Sequence, residues 1–170
     1  MRKLVACATK WDIHDGMAKN QADELRRLMQ RLFRGFGALA VDTTPCGKPL
    51  SMAHAHALMV LLLKGELSQQ ELGTELRIDK SNVARLCARM AEERHVEQRS
   101  SAQDGRSRIV SLTSRGKRLA REVDAASHAR FGAVLGAIPA ERRIQLIDNL
   151  NQLLTAIEAM HGDPIESAVQ

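Results

Sequence analysis

Two helix starts eleven residues apart constrain this 170-residue chain more than any other feature. Ser68-Gln69-Gln70-Glu71 has the form of a capping box, in which the Ser68 hydroxyl accepts from the backbone N–H three residues on while Glu71 reaches back to the Ser68 amide. Leu67 and Leu72 flank it at the spacing of a hydrophobic staple. The device recurs with Asp79 as cap and Ile78 and Val83 as staple, and the Asp79 carboxylate also suits the positive end of a helix dipole. Starts so close together leave room only for a tight turn between two short helices. Leu72, Leu76, Val83, Leu86 and Met90 follow helical spacing and predict the seam that joins them.

The other face of the second helix carries Lys80, Ser81, Asn82, Arg85 and Arg89. By itself such a set is an ordinary solvated face, since exposed Lys and Arg are common. The residues that follow turn the reading. Val96 to Ser100 and Ser107 to Leu112 are short runs with β-branched residues, separated by a polar segment ending in Gln103-Asp104-Gly105-Arg106. Gly after Asp is a hairpin signal, because tight turns need positive φ. The tip then presents Arg106, flanked by Arg99 and Arg108, and a thin hairpin can carry an arginine into a minor groove. Thr113 caps a further helix that begins with Arg115, Lys117, Arg118 and Arg121. The expected fold is mostly α with a small β-hairpin wing: a winged helix-turn-helix plus terminal helices.

In these residues the chain resembles the MarR family of winged-helix transcriptional regulators. The matching blocks are Leu67 to Leu72, Asp79 to Leu86, Asp104 to Ser107 and Val110 to Gly116, in the family's order and spacing over about fifty residues. Three positions depart from the family pattern: His95 stands where glycine usually follows the second helix, Glu97 where an apolar strand residue is usual, and Gly105 where a first wing arginine is common. A left-handed backbone at His95 would be strained. The resemblance implies a regulator, more often a repressor, released by a small phenolic or aromatic effector or by an oxidant.

Composition agrees with double-stranded DNA as the partner. Between Asp79 and Arg121 eleven Lys or Arg stand against five Asp or Glu, a local net of +6 in a chain whose total is +5. That concentration is the footprint of a face that binds a polyanion. Trp11, Phe33, Phe36 and Phe131 are the only aromatics, which disfavours a stacking surface for single strands. The basic segment lacks the broad apolar stripe of a membrane-surface helix, no run approaches a bilayer span, and Leu4 to Ala8 is too short for a signal-peptide core, so a cytoplasmic protein is expected.

The remaining chain reads as helix. Asp23 to Ala40 aligns Leu25, Leu28, Leu32, Phe36 and Leu39, and Thr43 to Pro49 forms a Pro/Gly-containing connection. Ser51 caps a helix through Leu63; a long helix follows Thr113; Pro139 separates it from a last helix in which Leu146, Leu150, Leu153, Ile157 and Met160 form a two-heptad seam. The chain is thus read as one domain, residues 1–170. Within it 51–113 form the DNA-binding winged helix-turn-helix, 114–138 a connecting helix, and 20–41 and 139–161 the helices of a homodimer. A two-fold dimer would set two reading helices on successive major grooves and require a pseudo-palindromic site.

Within that reading Ser81, Asn82 and Arg85 are assigned to base edges, Arg85 to guanine and Asn82 to adenine. Lys80, Arg89 and the amides near Ser68 hold phosphates, Arg106 enters the minor groove beside Arg108, and Asp104 orients an arginine. No catalytic, cofactor or metal site is assigned: Walker, dinucleotide-glycine, HExxH and GxSxG patterns are missing, which argues against an enzyme. His54 and His56 point about 200° apart on a helix, and His14, His95, His128 and His161 are scattered, so a zinc site requires tertiary convergence. Cys87 reads as packing on the second helix, while Cys7 and Cys46 are the candidate redox thiols. The contrasting reading is a winged-helix protein-interaction module without specific DNA binding.

Overall fold

Helices begin where the caps require. The computed structural model describes the backbone of residues 10–100 and 107–161 and the side chains of 19–100 and 107–160. Its elements run α1 (Lys10–Phe36), α2 (Met52–Lys64), β1 (Leu67–Ser68), α3 (Gln69–Leu76), α4 (Lys80–Glu92), β2 (Val96–Ser100), β3 (Arg108–Leu112), α5 (Ser114–Gly136) and α6 (Ala140–His161). Among the described residues no helix is long and apolar enough to cross a membrane. They fall into two units, divided within α5 between Asp124 and Ala125.

The first unit holds the winged helix-turn-helix. Ser51 accepts from the His54 amide at 3.3 Å to start α2, and Ser68 and Glu71 close the expected capping box, with bonds of 3.1 and 2.7 Å. Asp79 caps α4 by accepting from the Asn82 amide at 2.8 Å. Thr113 opens α5, its hydroxyl accepting from the Gly116 amide at 2.9 Å.

The core forms where α2, α3, α4 and the sheet bury their apolar sides: Leu58 and Leu61, Leu72, then Val83, Cys87 and Met90, with Val96 and Val110 from the strands and Ala120 and Val123 from α5. A fully buried Leu, Val or Met contributes about 1.5–3 kcal/mol by leaving water, so this cluster is the main source of stability for the unit. Leu76 and Leu86 pack against it only partly buried, whereas Cys87 is fully buried.

Three strands, not two, make the sheet. β3 lies between β2 and the two-residue β1, antiparallel to both, with Leu67 opposite Val110 and Val96 opposite Leu112. The extra strand holds the root of the wing to the start of α3. Gln98 strengthens that junction: its side-chain NH2 donates to the Cys87 carbonyl at 3.1 Å while its oxygen accepts from Gln69 at 2.7 Å.

Helix ends account for the differences from expectation. α1 stops at Phe36, short of Ala40, because Gly37 takes φ 81° and the Gly37 and Ala38 amides fold back onto the carbonyls of Arg34 and Phe33. This is a Schellman termination. The same pairing ends α3 at Arg77 (φ 51°) and α4 at Arg94 (φ 60°), so the left-handed residue after α4 is Arg94 and not His95. His95 is the next residue, buried, with its amide on the Met90 carbonyl at 2.8 Å. Glu97 is exposed, and Val96 supplies the apolar strand residue.

In the second unit, α5 ends in a turn through Ala137 and Ile138, and Pro139 precedes α6 as expected. Arg143 reaches back to the Ile138 carbonyl at 2.9 Å.

The start of α5 sits on the turn after α4. The Thr113 amide and hydroxyl donate to the His95 and Arg94 carbonyls at 3.1 and 2.7 Å, and a Cβ on Gly116 would stand 1.9 Å from the His95 oxygen. That approach excludes any side chain at position 116. Gly116→Ala is expected to destabilise the fold by about 3 kcal/mol, the upper range of overpacking, as read by urea unfolding. An unchanged midpoint would show that the α5 junction yields freely.

Candidate nucleic-acid interface

Burial of Val83, Cys87 and Met90 turns the opposite side of α4 outward. Lys80, Ser81, Asn82, Arg85 and Arg89 are all exposed, as the sequence led us to expect. Ser68, at the start of α3, is half-buried, and its own amide is occupied by the Glu71 carboxylate. The phosphate contact expected near Ser68 would therefore fall to amides beyond it. Arg108 is exposed at the first position of β3, opposite Ser100. Arg106, with Asp104 and Gly105, lies outside the described residues, as does Cys7. Arg99, the other arginine expected at the wing, is held by Glu66 at 2.7 Å and so anchors the hairpin to the loop before β1.

The polar face of α4 is internally ordered. Asp79 accepts from the Ser81 hydroxyl at 2.6 Å and from the side-chain amide of Asn82, whose oxygen accepts from Arg85 at 2.6 Å. Asn82 is engaged once at each polar end, which orients its amide and leaves a second N–H and a second lone pair for an outside partner. Arg85 has further donors on its guanidinium, a group that presents five N–H bonds, and reaches outward from the end of the chain of contacts. Hydrogen bonds from Ser81 and Asn82 hold the Asp79 carboxyl down at about 2, so it is ionised across the neutral range. No periodicity signals this network; the Asp-x-x-Asn-x-x-Arg spacing, one helical turn per step, is the pattern that does.

The thiols separate clearly. Cys87 is fully buried in the core, and burial pushes its pKa up to about 11, as suits packing rather than reactivity. Cys46 is half-buried in the connection before α2, its sulfur 3.0 Å from the Thr44 hydroxyl. The histidines are less scattered than their sequence positions imply. His54 on α2 and His95 at the root of β2, forty-one residues apart, are both buried with ring nitrogens 3.2 Å apart. Glu93 at the end of α4 joins them, 3.3 Å from the His95 Nδ1 and 3.8 Å from the His54 Nδ1. His56 is exposed, as its position one residue past Ala55 dictates. A cleft of about 340 Å³ lined by His95, Arg115, Arg118, Leu119 and Glu122 adjoins this cluster.

A buried helix pair, an exposed polar second helix and a three-stranded wing define a winged helix-turn-helix protein. Residues 48–107, the span of α2, the helix-turn-helix and the first wing strand, match the MarR family model. Solved structures share the fold. The PcaV transcriptional regulator from Streptomyces coelicolor is similar at TM-score 0.65 and 19% identity, over 78% of this chain and 96% of that one. BpsR from Bordetella bronchiseptica, in a structure concerning regulation of its DNA binding by 6-hydroxynicotinic acid, gives 0.60 and 20%, over 79% and 98%. MepR from S. aureus, in complex with DNA, gives 0.58 and 16%, over 85% and 98%. No curated protein matches the chain by sequence.

The cap at Asp79 ties the stability of α4 to pH. Folding lowers this pKa from 3.8 to about 2, so the unfolded chain binds the proton more tightly; the carboxylate's contribution is complete above pH 3.8 and is lost as pH falls toward 2. Unfolding curves of the wild type and Asp79→Ala are expected to lie furthest apart at neutral pH and to converge across that window. A constant separation throughout the titration would rule out a charge-dependent cap.

Proposed function

We propose that this chain is a transcriptional regulator that binds double-stranded DNA in a sequence-specific manner, acting as a repressor on a pseudo-palindromic operator. The observation that carries the reading is the outward polar face of α4, where Lys80, Ser81, Asn82, Arg85 and Arg89 are exposed together on a helix fixed by its buried side. A helix of this width and chemistry fits a major groove. Arg85, steadied by Asn82, reads guanine; Ser81 and Asn82 complete the base-facing set, Asn82 taking adenine through its remaining N–H and lone pair. Lys80, Arg89 and the amides near Ser68 grip phosphate, while Arg106 and Arg108 serve the minor groove. The MepR complex with DNA supports the partner class.

The same reading makes the active species a homodimer built by the segments 20–41 and 139–161. Leu25, Leu28, Leu32 and Phe33 on α1 are each about half exposed in the single chain, and so, in the second unit, are Ile147, Leu150 and Leu154 on α6. Apolar stripes of that kind are the faces helices bury against a partner. Release from DNA by a small aromatic or phenolic effector is in keeping with the BpsR structure and with a PcaV structure holding its natural ligand. Cys46 and Cys7 are the thiols through which an oxidant would act. The chain performs no catalysis in this scheme.

Selection of bound fragments from random duplexes is expected to yield one palindromic sequence. On it Arg85→Ala should weaken binding by about 1–3 kcal/mol and relax one base position, whereas Lys80→Ala should weaken selected and random DNA alike and lower the salt slope by about one. Equal losses on both DNAs for Arg85→Ala would remove its base-reading role, and absence of binding at low salt would favour a protein-contact module. Sedimentation at micromolar concentration should give twice the chain mass; a stable monomer would overturn the dimer.

A further inference from the structure

The cluster of His54, Glu93 and His95 has the geometry of a metal-binding site, and nothing in DNA reading uses it. Each residue offers one ligand atom, and the three atoms all lie within 4.8 Å of one another. In a tetrahedral zinc site with ligands at about 2.0–2.1 Å, neighbouring ligand atoms stand about 3.4 Å apart. The His54 Nε2 to His95 Nδ1 separation is 3.2 Å and the His95 Nδ1 to Glu93 Oε2 separation 3.3 Å, so two of the three edges already have that length. Glu93 is the exposed member and can close the third by rotation.

Backbone contacts fix the donors independently of any ion. His54 stands in the capped first turn of α2, and His95 is held on both sides, by the Met90 carbonyl and by Thr113. Its nearness to His54 is therefore imposed by the fold. Two neutral imidazoles facing each other at this distance supply one N–H and one lone pair, and an ion between them takes the place of that proton, which moves by tautomerisation to the donor ring's other nitrogen so that both ligands stay neutral. Burial keeps both imidazoles below their ordinary pKa, Glu93 pulling them back up, while Arg89 adds to the lowering at His54 and Arg115 at His95. Both imidazoles thus favour the unprotonated form that metal binding requires.

We propose that His54, Glu93 and His95 bind a divalent transition metal of the zinc class, with a fourth position open to water on the Glu93 side. Two imidazoles and one carboxylate suit zinc, nickel or copper rather than magnesium or calcium, which prefer all-oxygen ligands. An ion there would join α2, the end of α4 and the root of the wing at one point.

The test is direct binding, and it stands apart from the DNA reading because no DNA is present. Untagged full-length chain carrying Cys7→Ser and Cys46→Ser is titrated with Co2+ and then with Zn2+. One equivalent per chain is expected, with a tetrahedral cobalt spectrum lacking thiolate bands and lost on adding zinc. Glu93→Gln should weaken uptake by roughly tenfold or more, and His54→Gln and His95→Gln should abolish it. In case the buried histidine variants do not fold, NMR of the parent chain decides: substoichiometric Co2+ should shift the His54 and His95 imidazole signals before those of His56 and His128. Absence of saturable uptake, uptake unchanged by Glu93→Gln, or the reverse order of shifts would overturn the site.

Discussion

Packing of α4 against α2 and α3 is the constraint from which the rest of the winged-helix unit follows. Val83, Cys87 and Met90 recur at intervals of four and three residues, and all three are fully buried beside Leu58, Leu61 and Leu72. A helix so pinned has no rotational freedom about its axis. Its polar residues must then face outward as a set, and the set includes every α4 side chain assigned to DNA. Function at this surface is in that sense a consequence of which side is apolar, because turning α4 about its axis would expose the core and bury two arginines.

Termination matters as much as initiation. α3 and α4 both end on an arginine in the left-handed region, at a strain of about 1–2 kcal/mol each, where glycine would be relaxed. The fold tolerates that strain because the next residue is held firmly: Ile78 bonds back to Gly73, and His95 bonds back to Met90 while its carbonyl receives Thr113. At the second of these ends the turn sets the first residue of the wing. Glu93, Arg94 and His95 thereby connect α4, the sheet and α5 within three consecutive positions.

What could be read from the sequence was what lies close together in it. Ser68 with Glu71 and Asp79 with Asn82 are separated by one turn of helix, so their roles are written in local spacing, and the seam of Leu72, Val83 and Met90 follows from periodicity. The family resemblance rests on the same local blocks. Long-range pairings left no such mark. β1 exists only because Leu67 meets Val110, and His54 meets His95 through tertiary packing across forty-one residues. The single-residue error at Arg94 has a different origin: helix ends are set by which amide bends back first, and an arginine offers no glycine to mark the place.

Asp79 shows how a residue can favour a site that it also opposes. Its carboxylate would repel phosphate beside the start of α4, an effect of roughly 0.5 kcal/mol for charges about 8 Å apart in water and weaker still in salt. Against this, it holds Ser81 and Asn82, and through Asn82 the guanidinium of Arg85, in one arrangement before any DNA arrives. Immobilising a long side chain on binding takes about 0.5–1.5 kcal/mol, and an arginine already steadied forfeits less of it. The two effects are similar in size, but only the ordering acts on Arg85, the group proposed to distinguish bases. Repulsion by Asp79 falls on all sequences equally, so the balance at this position favours discrimination over raw affinity.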